Sequence, residues 1–140
     1  MAAIIEKDGR FLMVEESNNA KPVYNQPAGH VEANESLPEA VMRETREETG
    51  CDFQPEWLTG IYRWQHPASN EIYLRHCFCG ELIGHDPQRQ LDKAILRTHW
   101  LSLAELQQQA DKLRSPLVLV CLEDYLAGRR YPLQLYRDID

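Results

Sequence analysis

"RETREETG", residues 43–50, sets Glu44, Glu47 and Glu48 close together just ahead of a glycine. On a solvated surface three such carboxylates would only repel one another, so the side of the helix they occupy decides what they are for. Upstream, Ser36 and Glu39 make an S-x-x-E capping pair, and Pro38 falls in the first turn, where its missing N–H is harmless. Gly50 supplies the stop, and the spacing predicts a helix over about 37–49. At about 100° per residue from Leu37, Val41 lies near about 40° and Ala40 near about 300°. On the same wheel Glu48 falls near about 20°, Glu44 near about 340° and Glu47 near about 280°. The acidic cluster therefore continues the apolar stripe, and Met42, Arg46 and Glu39 lie on the other side.

Carboxylates aimed inward need a counter-charge. At about 4 Å, like charges repel by about 1 kcal/mol in water and about 4 kcal/mol at an effective dielectric of about 20. Arg43 can pair with Glu47 one turn on and with Glu39 one turn back, but one guanidinium does not neutralise three glutamates. A divalent cation does, and magnesium or manganese prefers carboxylate oxygen. The plain alternative is a charged helix laced by i,i+4 salt bridges. The placement on the apolar side argues against it. An EF-hand is excluded, because no D-x-D-x-D-G loop is present.

The remaining chain reads as one domain over residues 1–140, with strands and helices interleaved irregularly, as in a mixed sheet packed against helices. "AAIIEKDGRFLMVEE" reads as a hairpin turning at Asp8-Gly9, its first strand starting almost at Met1. "NQPAGHVEANE" reads as a loop. Residues 57–65 and 71–83 read as strands, with Ile72, Leu74, His76 and Phe78 on one face and Cys77 and Cys79 on the other. "GHDPQRQLDKAILRT" reads as a loop and "HWL" as a short strand. A helix over "SLAELQQQADKL" opens on a second capping pair, Ser102 and Glu105. A last helix starts at Ser115-Pro116 and ends near Gly128, with Leu117, Val120 and Cys121 in the core.

Composition narrows the function. The formal net charge of -7 disfavours duplex DNA and anionic lipid as partners. No apolar run reaches the roughly 20 residues of a membrane helix, and "MAAIIEKDGR" lacks the pattern of a signal peptide. Cys51, Cys77, Cys79 and Cys121 form no CxxC pair and read as buried thiols of a cytoplasmic protein.

"GHVEANESLPEAVMRETREETGC", residues 29–51, resembles the Nudix box, G-x5-E-x7-R-E-U-x-E-E-x-G-U, in which U is usually a bulky aliphatic. Gly29, Glu35, Arg43, Glu44, Glu47, Glu48 and Gly50 fill the fixed positions. The two U positions hold the smaller Thr45 and Cys51. "NQPAGHVEA", "LRSPLV" and "GRRYPL" extend the likeness to the NudJ-type branch of bacterial Nudix phosphatases, with "PAG" where other branches carry "PGG". The resemblance implies the Nudix fold, an α/β (α+β) mixed sheet between helices with the box as loop–helix–loop. It also implies magnesium, with manganese as a substitute, and hydrolysis of nucleoside tri- and diphosphates and of a thiamine-precursor pyrimidine diphosphate (HMP-PP) with release of orthophosphate.

By the same resemblance, Glu47 and Glu48 are the principal metal ligands, Glu44 is a further ligand or the base, and the Gly29 carbonyl completes the metal shell. Glu35, Gly50 and Arg43 support the box, Arg43 by orienting a carboxylate. Asp92, with Glu81 behind it, is the candidate for an extra base from a later loop. Arg75, Lys93 and Arg114 are candidate phosphate contacts, and Trp64, Tyr24 and Tyr73 candidate stacking partners. His30 and His99 are minority candidates for any such role. Competing readings are an ADP-sugar or damaged-nucleotide pyrophosphohydrolase and a non-catalytic Nudix-fold binding module. The intact box argues against the last. Monomer and homodimer both stay open.

Overall fold

The computed structural model describes residues 1–18 and 21–139. Two small sheets carry the fold. In the first, β1 (Ala2–Ile4) pairs in parallel with β6 (Ile72–His85), which runs antiparallel to β5 (Cys51–Gln65), and β5 is edged by β8 (Tyr131–Pro132). In the second, β3 (Arg10–Asn18) is paired antiparallel with β2 (Glu6–Lys7), β4 (Lys21–Asn25) and β7 (Ile95–Leu101). The expected hairpin is present, with Asp8 and Gly9 both at positive φ, 53° and 76°. Its first strand is not one strand, however. The run divides at Ile5, so that β1 joins one sheet and β2 the other.

That division follows from side-chain alternation. Ala2 and Ile4 enter one core with Phe11, Met13, Cys77, Cys79 and Cys121, under α2 (Leu103–Gln108) and α3 (Leu117–Leu126). Ala3 and Ile5 enter a second core with Leu12, Phe53, Leu58 and Phe78, under Val41 of α1 (Leu37–Thr49). Each fully buried large apolar side chain there contributes on the order of 1.5–3 kcal/mol. Helices thus cover the sheets on both sides, as an α/β mixed-sheet fold requires. All four cysteines are buried and free.

Several boundaries differ from the sequence reading. β5 and β6 are longer, because Pro55 sits at a register shift between Pro55 and Trp57, where a missing N–H is tolerated. The segment read as a loop up to Thr98 ends as strand, since β7 begins at Ile95 and pairs along β3. The helix expected over residues 102–113 is α2 followed by a separate 3-10 turn, Ala110–Lys112, although its Ser102–Glu105 capping box is formed. α3 begins at Leu117, and the Ser115 hydroxyl accepts from its N–H at 3.2 Å. Val120 is exposed rather than core. Among the described residues no helix is long and apolar enough to cross a membrane.

Candidate active site

The site is organised by α1. The Glu39 N–H donates to Ser36 Oγ at 3.2 Å, and the Ser36 N–H donates to Glu39 Oε2 at 2.7 Å. The helix ends at Gly50, whose φ of 72° is left-handed, with its N–H on the Arg46 carbonyl at 2.9 Å. Between these ends the inward stripe is Ala40, Val41, Thr45, Glu48 and Thr49. Glu48 therefore does face the protein, while Glu44 and Glu47 are half-buried beside it.

Arg43 is the counter-charge. It holds Glu35 through Nη2 at 2.7 Å and Nε at 2.9 Å, and Nη1 reaches Glu44 at 3.0 Å and Glu47 at 3.2 Å. Its Nη2 also donates to the His30 carbonyl at 3.0 Å. The pairing with Glu39 expected from the wheel is not made, because Glu39 is spent on the cap. The Arg43 hydrogen bond is the chief reason the Glu35 carboxyl is lowered to about 2. Arg43 itself is held still more firmly charged than usual, first by Glu35.

The loop after β6 is laid along the end of α1. The Asp86 N–H donates to the Gly50 carbonyl at 2.8 Å, and the Asp92 N–H donates to the Glu47 carbonyl at 3.0 Å. This brings carboxylate oxygens of Glu44, Glu47 and Asp92 all within 4.8 Å of one another. Glu48 is outside that trio. Its Oε1 accepts the Ala28 N–H at 2.9 Å, and burial pushes its carboxyl up to about 8, with Glu16, Glu44 and Asp92 adding to the effect. Burial also raises the Glu44 carboxyl. An all-oxygen donor set this crowded, with one arginine to offset it, fits magnesium or manganese.

Gly29 bears on the site through the side chain it lacks. A Cβ at this position would overlap the Glu44 carboxyl group, so only glycine leaves room for that carboxylate. The Gly29 carbonyl accepts from the Met1 nitrogen at 2.8 Å, and the Gly29 N–H donates to the Met1 carbonyl at 3.1 Å.

The other candidates separate. Glu81 lies opposite Gln54 in the β5–β6 ladder and Lys93 is exposed, both outside the trio. His30 is exposed, and it is its carbonyl that the box uses. His99 lies 3.5 Å from Glu15 and edge-on to Tyr24. Trp64 and Tyr73 form a tilted ring pair at 5.6 Å. Arg114 Nη1 donates to Glu16 at 2.9 Å. Arg75 Nη1 donates to Gln26 Oε1 at 2.8 Å and Nη2 to Asn25 Oδ1 at 3.1 Å. Sequence reasoning missed Glu16, Asn25 and Gln26. Two adjacent glutamates ending the apolar run of β3 were the available signal, since alternation sends one of any such pair inward.

A motif of this geometry belongs to a hydrolase family. The NUDIX domain family matches residues 1–119, and the chain belongs to it. It is 41% identical over 140 residues to Phosphatase NudJ of Escherichia coli (strain K12), covering 100% of this chain and 90% of that one. A NUDIX hydrolase from Nitrosomonas europaea is 45% identical with a TM-score of 0.95, covering 99% of this chain and 94% of that one. The MutT protein from Methanosarcina mazei Go1 shares the fold, with a TM-score of 0.72 at 22% identity over 92% of this chain and 93% of that one. The protein is thus a hydrolase of phosphoric anhydride bonds, from a family that generally uses a divalent metal.

Proposed function

We propose that this chain, read as a single Nudix domain over residues 1–140, is a magnesium- or manganese-dependent phosphatase of small diphosphates. Its substrates are nucleoside tri- and diphosphates and the pyrimidine diphosphate HMP-PP, and it releases orthophosphate. The observation that carries the reading is the trio of Glu44, Glu47 and Asp92 oxygens within 4.8 Å. The 41% identity to Phosphatase NudJ across the whole chain supports the phosphatase branch over ADP-sugar or damaged-nucleotide hydrolysis. The intact box, with Arg43 holding Glu35, Glu44 and Glu47, opposes a non-catalytic binding module. Free buried thiols suit a reducing, cytoplasmic setting.

In this reading Glu47 and Asp92 would hold the cation, Glu48 would join them in its ionised form, and Glu44 stands beside them as the base. Gly29 keeps the pocket open for Glu44. A divalent cation held there would offset phosphate charge and lower the pKa of water beside the phosphorus. Glu44, desolvated and of raised pKa, takes the proton from the attacking water. Arg43 holds Glu44 still during that transfer, while Glu35 fixes Arg43 from the other side. Little covalent work is asked of the chain, and positioned charge does most of it.

The test is product analysis over a panel of nucleoside diphosphates, nucleoside triphosphates and HMP-PP, with magnesium and with excess chelator. Orthophosphate release that needs the cation is the expected result. Full turnover in chelator removes the metal assignment. Monophosphate plus intact pyrophosphate from triphosphates moves the protein to the damaged-nucleotide reading.

A further inference from the structure

Arg75 of β6 is treated differently from the other arginines around the site. Arg43, Arg97 and Arg114 each reach a carboxylate, at 2.7, 3.4 and 2.9 Å. Among the described residues the half-buried Arg75 reaches none within 4.0 Å. Its guanidinium is held by two neutral amide oxygens, Gln26 Oε1 at 2.8 Å and Asn25 Oδ1 at 3.1 Å, and borders the Cys121 thiol. The Gln26 amide is not free to turn away. Gln26 is fully buried and its Nε2 donates to the Val118 carbonyl at 2.9 Å, which leaves its oxygen for Arg75. Asn25 is buried as well, at the end of β4.

Amide oxygens orient a guanidinium without cancelling its charge. A shielded cation is ordinarily matched by a carboxylate, and in a chain of net charge -7 carboxylates are plentiful. Two buried amides in that role keep the positive charge available. They also tie it to the site. Asn25 and Gln26 run directly into Ala28, whose N–H holds Glu48, and Gly29, which abuts Glu44. The planar fork of arginine matches phosphate oxygens, which a lone ammonium does less well.

We infer that Arg75, aimed by Asn25 and Gln26, binds a phosphate oxygen of the substrate diphosphate and so acts as a substrate-positioning group. The inference rests on the reading of the site as a diphosphate hydrolase.

Asn25→Asp provides the discriminating test. It is isosteric and sets a carboxylate where the amide oxygen stands, so it neutralises Arg75 without removing it. The expected result is a KM for a nucleoside diphosphate at least about tenfold higher, with a melting temperature unchanged or raised by the new ion pair. Arg75→Ala is expected to raise KM at least as much, and Arg75→Lys to restore part of the loss. Dissociation constants for a methylene-bridged diphosphate analogue, measured by calorimetry with calcium, are expected to move in parallel. If Arg75 is only structural, Asn25→Asp strengthens its anchorage and leaves KM and the analogue affinity at wild-type values, and that result overturns the inference. Should Arg75→Ala fail to fold, Asn25→Asp and Arg75→Lys still decide it. A wild-type protein that hydrolyses no diphosphate overturns the parent reading and this inference together. An active wild type with unaffected variants overturns this inference alone.

Discussion

The Glu44 carboxyl group occupies the space that a side chain at Gly29 would need. The Glu44 carboxylate is thereby seated against the loop, with Arg43 Nη1 holding it at 3.0 Å. Gly29→Ala should push Glu44 out of the trio it forms with Glu47 and Asp92. We expect kcat to fall by about tenfold or more, the scale of losing one positioned group. The circular dichroism spectrum should stay that of the wild type. Unchanged steady-state kinetics in this variant would mean that Glu44 swings aside without consequence.

Glu35 and Arg43 make a stability prediction. The Arg43 hydrogen bond lowers Glu35 from its ordinary 4.5 to about 2. A depressed carboxylate contributes stability that is present above its unfolded-state value and is lost as pH falls through the folded one. Wild-type melting temperature should therefore drop as pH falls from 4.5 toward about 2. Glu35→Gln should start lower at neutral pH and show a shallower slope across that window. Parallel slopes in the two proteins would detach Glu35 from acid sensitivity.

How much of this was legible depends on where each signal resides. α1 was readable because Ser36, Glu39, Pro38 and Gly50 act within a turn of the ends they define. The inward aim of Glu48 followed from the same wheel. The first residues of β7 were not readable, since "ILRT" becomes strand only by pairing with β3, where Val14 meets Thr98 and Glu15 meets Arg97. The early part of β5 was hidden by Pro55, which reads as a breaker until a bulge accommodates it. Asp92 could be singled out by residue type alone. Its place beside Glu44 and Glu47 is tertiary, set by one backbone bond to the Glu47 carbonyl. Alternation could send Glu16 inward but could not name Arg114 as its partner.

Glu48 ties metal binding to pH. Burial raises its carboxyl from 4.5 to about 8, so the folded metal-free protein keeps a proton that the unfolded chain has released. For a raised acid the stabilising contribution is full below the unfolded value and is lost as pH rises through the folded one. Metal-free protein should lose stability between 4.5 and about 8 on this account. Magnesium must displace that proton, so the rise in melting temperature it produces should grow with pH across the same window. Glu48→Gln keeps an oxygen for the Ala28 N–H and has no proton to lose. It should fold, show a flatter pH profile without metal, lose most of the magnesium-induced shift and lose most activity. Thermal melts with and without magnesium from about pH 6 to about pH 9 read all of this except activity, which the product assay supplies. A full magnesium shift in Glu48→Gln would remove Glu48 from the metal set.

Arg114 and Ser115 set the last test, because a phosphate contact and a structural role predict different measurements there. The Arg114 guanidinium meets Glu16 at 2.9 Å, and the Arg114 backbone N–H donates to the Tyr24 carbonyl at 2.8 Å. Ser115 Oγ accepts the Leu117 N–H at 3.2 Å at the start of α3. Each group therefore already has a structural partner, and for Arg114, unlike Arg75, that partner is a carboxylate. Glu16 is buried and adds to the raised pKa of Glu48. Removing Arg114 leaves that acid without its partner, so the first consequence should be thermodynamic. Arg114→Ala should cost up to about 1 kcal/mol, the scale for a pair with one half-exposed partner. Ser115→Ala should cost about 1 kcal/mol through the lost cap. Kinetics on the substrate panel should stay within about threefold of wild type in both variants, which is below about 1 kcal/mol in transition-state binding. Denaturant melts and steady-state rates on the same preparations separate the outcomes. A rise in KM of about tenfold in Arg114→Ala, with stability unchanged, would reassign Arg114 as a second phosphate contact.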